Sequence, residues 1–353
     1  MPTIEGLRAR IAGAAEYCQA ELWPLVDAFE KENKIDLSAL KKSAMKAGPV
    51  AFVGWVIHLL VPSKTALGPA LKMVGFAGTL ALLVGLFLVG RELTKVFGLA
   101  GKRFAAMRAL TAQIKLKAIS YLEPTFKFSA ETEFPSKLYS ACGLFPSGYD
   151  RASAEDRLIG RIGETDFDLV EVRTYNVRTT RDSNGRTTKQ SIPIFIGLML
   201  TADFNKNFDG HTIIETDGAE KSFGFLARGA QRLMSSISSL KLVELENPEF
   251  EAHFKVRSTD ANAARYILTP SFMERIVEIK KNMGVHLQLS FQEGAVVVAI
   301  PHPADFLELK SGLEDLTKSV DGLLNQLVDL LTIIESLELN MRIWNKSSRA
   351  EGA

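Results

Sequence analysis

The chain has 353 residues, with 42 Lys or Arg against 41 Asp or Glu, for a formal net charge of +1. So balanced a surface excludes a bulk electrostatic affinity for nucleic acid. A hydrophobic content of 46% excludes a disordered chain, and the two cysteines, Cys18 and Cys142, supply neither a disulfide framework nor a thiolate metal site.

In chain order, residues 1–46 read as an N-terminal helical arm: Leu7, Ile11, Ala14, Ala15, Cys18 and Leu22 recur at helical spacing up to Pro24, and a second helical piece starts at Ser38. No basic leader followed by an apolar core precedes what comes next, so the chain is expected to start inside the cell. Residues 47–90 then hold two runs almost free of charge, 47–63 and 73–90. Runs of about 17 and 18 residues are just long enough, as helices, to span a bilayer core of roughly 30 Å, so a transmembrane hairpin is predicted. Lys41, Lys42 and Lys46 before it and Arg91, Lys95, Lys102 and Arg103 after it outnumber Lys64 and Lys72 in its turn. By the positive-inside rule both termini are cytoplasmic. Ala77, Ala81 and Gly85 line one face of the second run and suit close helix packing, and His58, near Pro62, is expected at the interface.

Residues 91–123 read as an amphipathic basic stalk helix, with Lys102, Arg103, Arg108, Lys115 and Lys117 as candidate contacts to anionic lipid heads. From residue 124 to 303 the pattern predicts a cytosolic domain of class α+β, built on a mostly antiparallel sheet. Strands are expected near 158–162, 167–177, 191–200, 212–215 and 241–245, followed by the hairpin 286–291 with 295–300. Asn184-Gly185 marks the tip of the hairpin between the second and third strands. Helices are expected over 222–239, 248–254, 260–268 and from Thr269-Pro270 to Gly284. Residues 304–346 form a C-terminal heptad helix: Leu309, Leu313, Leu316, Val320, Leu323, Leu327, Leu330, Ile334, Leu337, Met341 and Trp344 alternate steps of four and three. Such a seam suits a coiled coil, whereas Leu324, Leu331 and Ile333 widen it as in a helix packed on its own domain. Leu327, Ile334, Asn340, Arg342 and Trp344 are its candidate interaction residues, toward a protein partner or a second copy.

Chemistry is sparse in the sequence. Gly98-Leu-Ala-Gly101-Lys102-Arg103 lacks the spacing and hydroxyl of a phosphate loop, and no G-x-S-x-G elbow occurs. The histidines His58, His211, His253, His286 and His302 are scattered, so no metal site, no cofactor and no catalytic residue is read. Asp203, Asp209, Asp217, Glu244, Glu246 and Asp260 are the carboxylates from which a converging pair would come.

Five phrases, Ser140-Ala-Cys-Gly-Leu-Phe145, Ala202-Asp-Phe-Asn-Lys206, Leu245-Glu-Asn-Pro-Glu-Phe250, Ala264-Arg-Tyr-Ile-Leu-Thr-Pro270 and Leu339-Asn-Met-Arg-Ile-Trp344, follow the two-span hairpin. Together they resemble a bacterial membrane-protein family known as domain-of-unknown-function family 3137. The resemblance implies a multi-pass protein of the bacterial inner membrane with a cytosolic domain, and it brings no reaction or catalytic residues. The expected function is a membrane-anchored interaction or scaffold module. The alternatives are an enzyme acting on a membrane lipid or envelope precursor and an anionic-lipid-binding domain.

Overall fold

A computed structural model describes residues 1–33, 38, 68–145, 148–181, 187–204, 206, 208–216, 240–284, 286–302, 305–310 and 313–337, with side chains at all of these except 68–86, 88 and 283. They form two compact units, one of Met1–Leu22 with Ala112–Ala353 and one of Trp23–Thr111.

The first unit is built on a nine-stranded sheet among the described residues. Its strands are β1 (Lys127–Glu131), β2 (Arg151–Ile162), β3 (Thr165–Arg181), β4 (Thr187–Asp203), β5 (His211–Thr216), β6 (Lys241–Leu242), β7 (Phe254–Ser258), β8 (Gln288–Gln292) and β9 (Ala295–Pro301). The order is β1-β2-β3-β4-β9-β8-β5-β7-β6, and every neighbouring pair is antiparallel. The α+β class holds, and the strands form one sheet. Two strands lie beyond those expected. β1 precedes the first predicted strand, and β7 starts where a helix was expected to end at residue 254, because Phe254, Val256 and Ser258 alternate inward against Lys255 and Arg257.

Central strands are covered on both faces. On one, Tyr139, Cys142, Leu144 and Phe145 pack on Val170, Val172, Phe195, Met199, Ile213, Val297 and Ala299. Phe145 lies against both Tyr139, stacked at 4.3 Å, and Phe195, at 4.4 Å between ring centroids. The Tyr139 hydroxyl, buried among these rings, meets the Thr174 hydroxyl at 2.9 Å and so keeps a hydrogen bond.

Residues 1–22 belong to the sheet unit. They form α1 (Ile4–Ile11), α2 (Ala14–Tyr17) and a π turn (Cys18–Leu22), and these pack on the C-terminal helix of the same unit. Arg10 donates to the Leu122 carbonyl at 2.8 Å, and Tyr17 stacks on Tyr121 with centroids 4.3 Å apart. The second unit contains α3 (Trp23–Glu32), whose Glu30 pairs with Arg103 at 2.9 Å. The helix α4 (Gly68–Leu122) runs without interruption through the boundary between the units. Among the described residues, no helix is long and apolar enough to cross a membrane. Of the predicted hairpin, 47–63 lies outside the described residues, and 73–90 is the early part of α4, described in backbone but for little of its side-chain content.

After β1 come the short helix α5 (Ser136–Ala141), then α6 (Pro248–Glu251), α7 (Ala261–Ile267) and α8 (Pro270–Met283). Asn247 and Asp260 cap α6 and α7 with their side-chain oxygens, and α8 stops at Gly284 with φ +61°. The helix expected over 222–239 and the Asn184-Gly185 turn lie outside the described residues, although Arg181 and Thr187 on either side of the turn are paired.

The heptad segment is corrected. Its helix, α9 (Leu316–Ser336), starts at Asp315, whose carboxylate accepts from the Lys318 N–H at 3.2 Å, so Leu309 and Leu313 precede it. It packs on α1, α2, the π turn, α8 and β2, and a coiled-coil pairing is unsupported. Leu327 and Ile334, expected at an interaction surface, are both fully buried within their own chain. Leu327→Asp is therefore expected to lower stability by about 4 kcal/mol or more, since it strands a charge in the core. A loss of the folded baseline in thermal melts, rather than a change in mass at constant fold, is the expected reading.

Candidate functional site

Four carboxylates and two cations gather on the face of the sheet away from Tyr139. Glu171 stands on β3 between Val170 and Val172, which point into the aromatic core, so strand alternation sends Glu171 to the other side. Asp156 gets there by a different route. The β2–β3 register shifts between Glu155 and Leu158, so Asp156 and Arg157 together oppose Val170, and Asp156 takes a positive φ of 50°. That is a β-bulge, and Asp is among the few residues with a side chain that tolerate such a backbone. Asp305 comes from the connection between β9 and α9.

Carboxylate oxygens of Asp156, Glu171 and Asp305 lie within 4.8 Å of one another. Asp156 is 4% and Glu171 1% exposed. Lys115 reaches in from α4, itself 7% exposed, and donates to Asp156 at 2.6 Å. Arg173 donates to Glu171 at 2.6 Å and also to Glu155, while the Phe306 backbone N–H donates to the second Glu171 oxygen at 3.0 Å. Asp305 Oδ1 is enclosed without a hydrogen-bond partner among the described residues.

Glu155, Asp156, Glu171 and Asp305 thus face Lys115 and Arg173, leaving a formal excess of two negative charges when all are ionised. Burial pushes Asp156 up to about 6 despite Lys115, with Asp305 and Glu155 adding to the rise. It pushes Glu171 up to about 7, against the Phe306 N–H, which favours the ionised form, and with Asp305 again raising it. The ordinary values are 3.8 and 4.5, so the folded chain binds these protons more tightly than the unfolded one does. Their contribution to stability is then greatest near and below the ordinary carboxylate range, is lost as pH rises through about 6 to 7, and is constant above that. The trio has the spacing of metal ligands, but the Lys115 ammonium and the Arg173 guanidinium already hold cation positions beside it.

Beside this cluster a groove of about 630 Å³ runs between the β9–α9 connection and α9. Leu198, Ile300, Phe306, Leu323 and Leu330 give it an apolar floor, with Lys310 and Lys318 among its polar wall residues. Phe306 therefore belongs to both features, by its backbone to the cluster and by its lining of the groove.

The carboxylates singled out in the sequence do not converge. Asp209, Glu244, Glu246 and Asp260 are exposed, Asp203 is half-buried, and Asp217 lies outside the described residues. Of the candidate lipid contacts, Lys115 is the buried partner of Asp156 and so is withdrawn from any lipid-facing set. Lys117 pairs with Glu21 at 3.7 Å and Arg103 with Glu30, while Lys102 and Arg108 are exposed on α4. Asn340, Arg342 and Trp344 lie outside the described residues. His211 is half-buried, with Nε2 at 3.1 Å from the Cys142 carbonyl oxygen and 2.9 Å from Ser290 Oγ, a structural bridge between layers.

No curated protein matches the chain. A solved structure, that of the mycobacterial trehalose monomycolate transport factor A, TtfA, is similar at 12% identity and a TM-score of 0.28, covering 62% of this chain and 93% of that one. At that score the likeness carries no argument. Residues 193–339, from within β4 to just past α9, match the family model described as "Protein of unknown function (DUF3137)". The match covers the second half of the sheet and the C-terminal helix, less than half of the chain.

Proposed function

We propose that this protein is a membrane-tethered, non-enzymatic module whose α+β domain faces the cytoplasm of a bacterial cell and binds a protein partner or a second copy of itself. The observation that carries the tether is α4. One uninterrupted helix holds the 73–90 apolar run and, further along, Lys115, which is buried in the sheet unit. Its last turns are part of the sheet unit's core, through Ile114, Ala118, Ile119 and Leu122. Exposed Lys102 and Arg108 fit a contact with anionic headgroups at about 1 kcal/mol each.

The non-enzymatic part rests on how the charged groups are used. The buried carboxylates are bonded to Lys115, Arg173 and the Phe306 N–H, as in a structural junction.

Arg at mid-span costs about 2.5–3.5 kcal/mol per residue on insertion. The full chain is expected to stay in the membrane pellet after alkaline carbonate extraction, and the Leu82→Arg/Leu86→Arg double variant to appear in the supernatant. Release of the unaltered chain by carbonate would overturn the tether. A reporter fused after Ala353 that works only outside the cytoplasm would overturn the orientation. Crosslinking in native membranes that yields neither a self-adduct nor one defined heterologous adduct would count against the interaction role.

A further inference from the structure

We propose that the cluster of Glu155, Asp156, Glu171 and Asp305 is a proton-operated latch: a proton holds the β9–α9 connection against the sheet, and its loss frees that connection and reshapes the groove beside α9. The inference does not depend on the membrane tether.

The latch is assembled from every element that meets there. β2 supplies Asp156, at the bulge, and Glu155; β3 supplies Glu171 and Arg173; α4 supplies Lys115; the β9–α9 connection supplies Asp305 and the Phe306 N–H. His302, at the start of that connection, has its ring edge-on to Phe306 with centroids 5.6 Å apart. β2 and the connection bring carboxylates to the cluster but no cation. Lys115 is committed to Asp156, and Arg173 is divided among Glu155, Glu171 and Asp305, so two cations serve four carboxylates and Asp305 bears on both Asp156 and Glu171. Its enclosed Oδ1 has no partner among the described residues. One proton taken up by Glu171 removes its repulsion with the Asp305 carboxylate within 4.8 Å, as expected where carboxylates crowd one site.

When that proton leaves, Asp305 is pushed from Glu171, and the hydrogen bond that remains between the connection and Glu171 among the described residues is that of the Phe306 N–H. Phe306, Glu308 and Lys310, all from this connection, line the groove with α9. Movement of the connection therefore alters the apolar floor and the charge of that groove together. The raised affinity of Asp156 and Glu171 for protons sets the operating range around pH 6 to 7.

The test compares the full chain in neutral detergent with Glu171→Gln and Asp305→Asn between pH 5.5 and 8. Both variants mimic a protonated carboxyl at nearly constant shape, so folding is expected to survive at every pH. The unaltered chain is expected to melt about 5 °C lower at pH 8 than at pH 5.5. Hydrogen exchange at residues 305–310, corrected for the intrinsic pH dependence of amide exchange, is expected to rise at least tenfold over the same interval. In Glu171→Gln both changes are expected to shrink by more than half, to the part that Asp156 contributes, and Asp305→Asn is expected to diminish them in the same direction. A pH-independent melt and exchange in the unaltered chain would overturn the latch, as would an undiminished pH response in both variants. Removal of the pH response by millimolar Mg²⁺ or Ca²⁺ at pH 8 would also overturn it, by showing that a divalent cation, not a proton, neutralises the cluster.

Discussion

Lys115→Ala is expected to destabilise the sheet unit by about 3–5 kcal/mol at pH 8, the usual consequence of removing one member of a buried ion pair. The ammonium sits 2.6 Å from Asp156, and the two side chains are 9% and 4% exposed. Its loss leaves Asp156 ionised in a site that already holds Glu155, Glu171 and Asp305, with only Arg173 in compensation. The expected cost depends on pH, because Asp156 already titrates near 6 with Lys115 in place and rises further without it. At pH 5.5 the variant carries Asp156 protonated, and the deficit shrinks to the lost packing of the lysine stem. A second substitution tests the cause: Asp156→Asn in the Lys115→Ala background is expected to recover most of the stability at pH 8. Asn is chosen because it accepts the positive φ that the bulge imposes. Denaturant midpoints of the two variants at both pH values check this. An equal loss at pH 5.5 and 8, unrescued by Asp156→Asn, would assign the role of Lys115 to packing alone.

The sheet was legible where one pattern dominated. His286 to Phe291 and Ala295 to Ile300 alternate about a Gln-Glu-Gly turn, and β8 and β9 pair there. The β3–β4 hairpin likewise follows from long β-rich runs flanking Asn184-Gly185. β7 was missed although Phe254-Lys-Val-Arg alternates, because the preceding Asn247-Pro248 start signal belongs to a helix of only four residues. The seam of α9 was visible, and its widening by Leu324, Leu331 and Ile333 was the clue that it packs on its own chain. The acid cluster was not legible. Its members are separated by long stretches of sequence, and Asp156 joins only because a bulge turns it inward. One signal was available in Leu169-Val-Glu-Val172, where alternation puts a charged Glu171 on the same face as buried Leu169, which calls for a partner.

Gly197→Ala is the second large expected loss, roughly 3–5 kcal/mol, and it arises from backbone rather than charge. Gly197 lies opposite Pro301 in the β4–β9 ladder, with φ +156°. A Cβ placed there would come within 2.2 Å of the Ile300 carbonyl oxygen, 2.8 Å of the His302 nitrogen and 2.9 Å of the Pro301 Cα. None of these is a flexible side-chain end, so relief requires β9 to separate from β4 where the His302 N–H donates to the Ile196 carbonyl at 3.0 Å. That point is also the root of the connection that carries Asp305 and Phe306. The substitution is therefore expected to lower the denaturant midpoint and to speed hydrogen exchange at His302 and Phe306 in advance of the remaining sheet. Gly101→Ala provides the contrast, since a Cβ on that residue of α4 meets nothing within 4 Å and gains helix propensity of up to about 1 kcal/mol. A Gly197→Ala chain within 1 kcal/mol of the parent would mean that β9 yields at Pro301 without strain. In that case the root of the connection to α9 would not depend on the Gly197 contact. The connection's described attachments would be the acid cluster, the Phe306 N–H and the buried Phe306, Leu307 and Leu309 side chains, so that Glu171→Ala would be the more damaging substitution there.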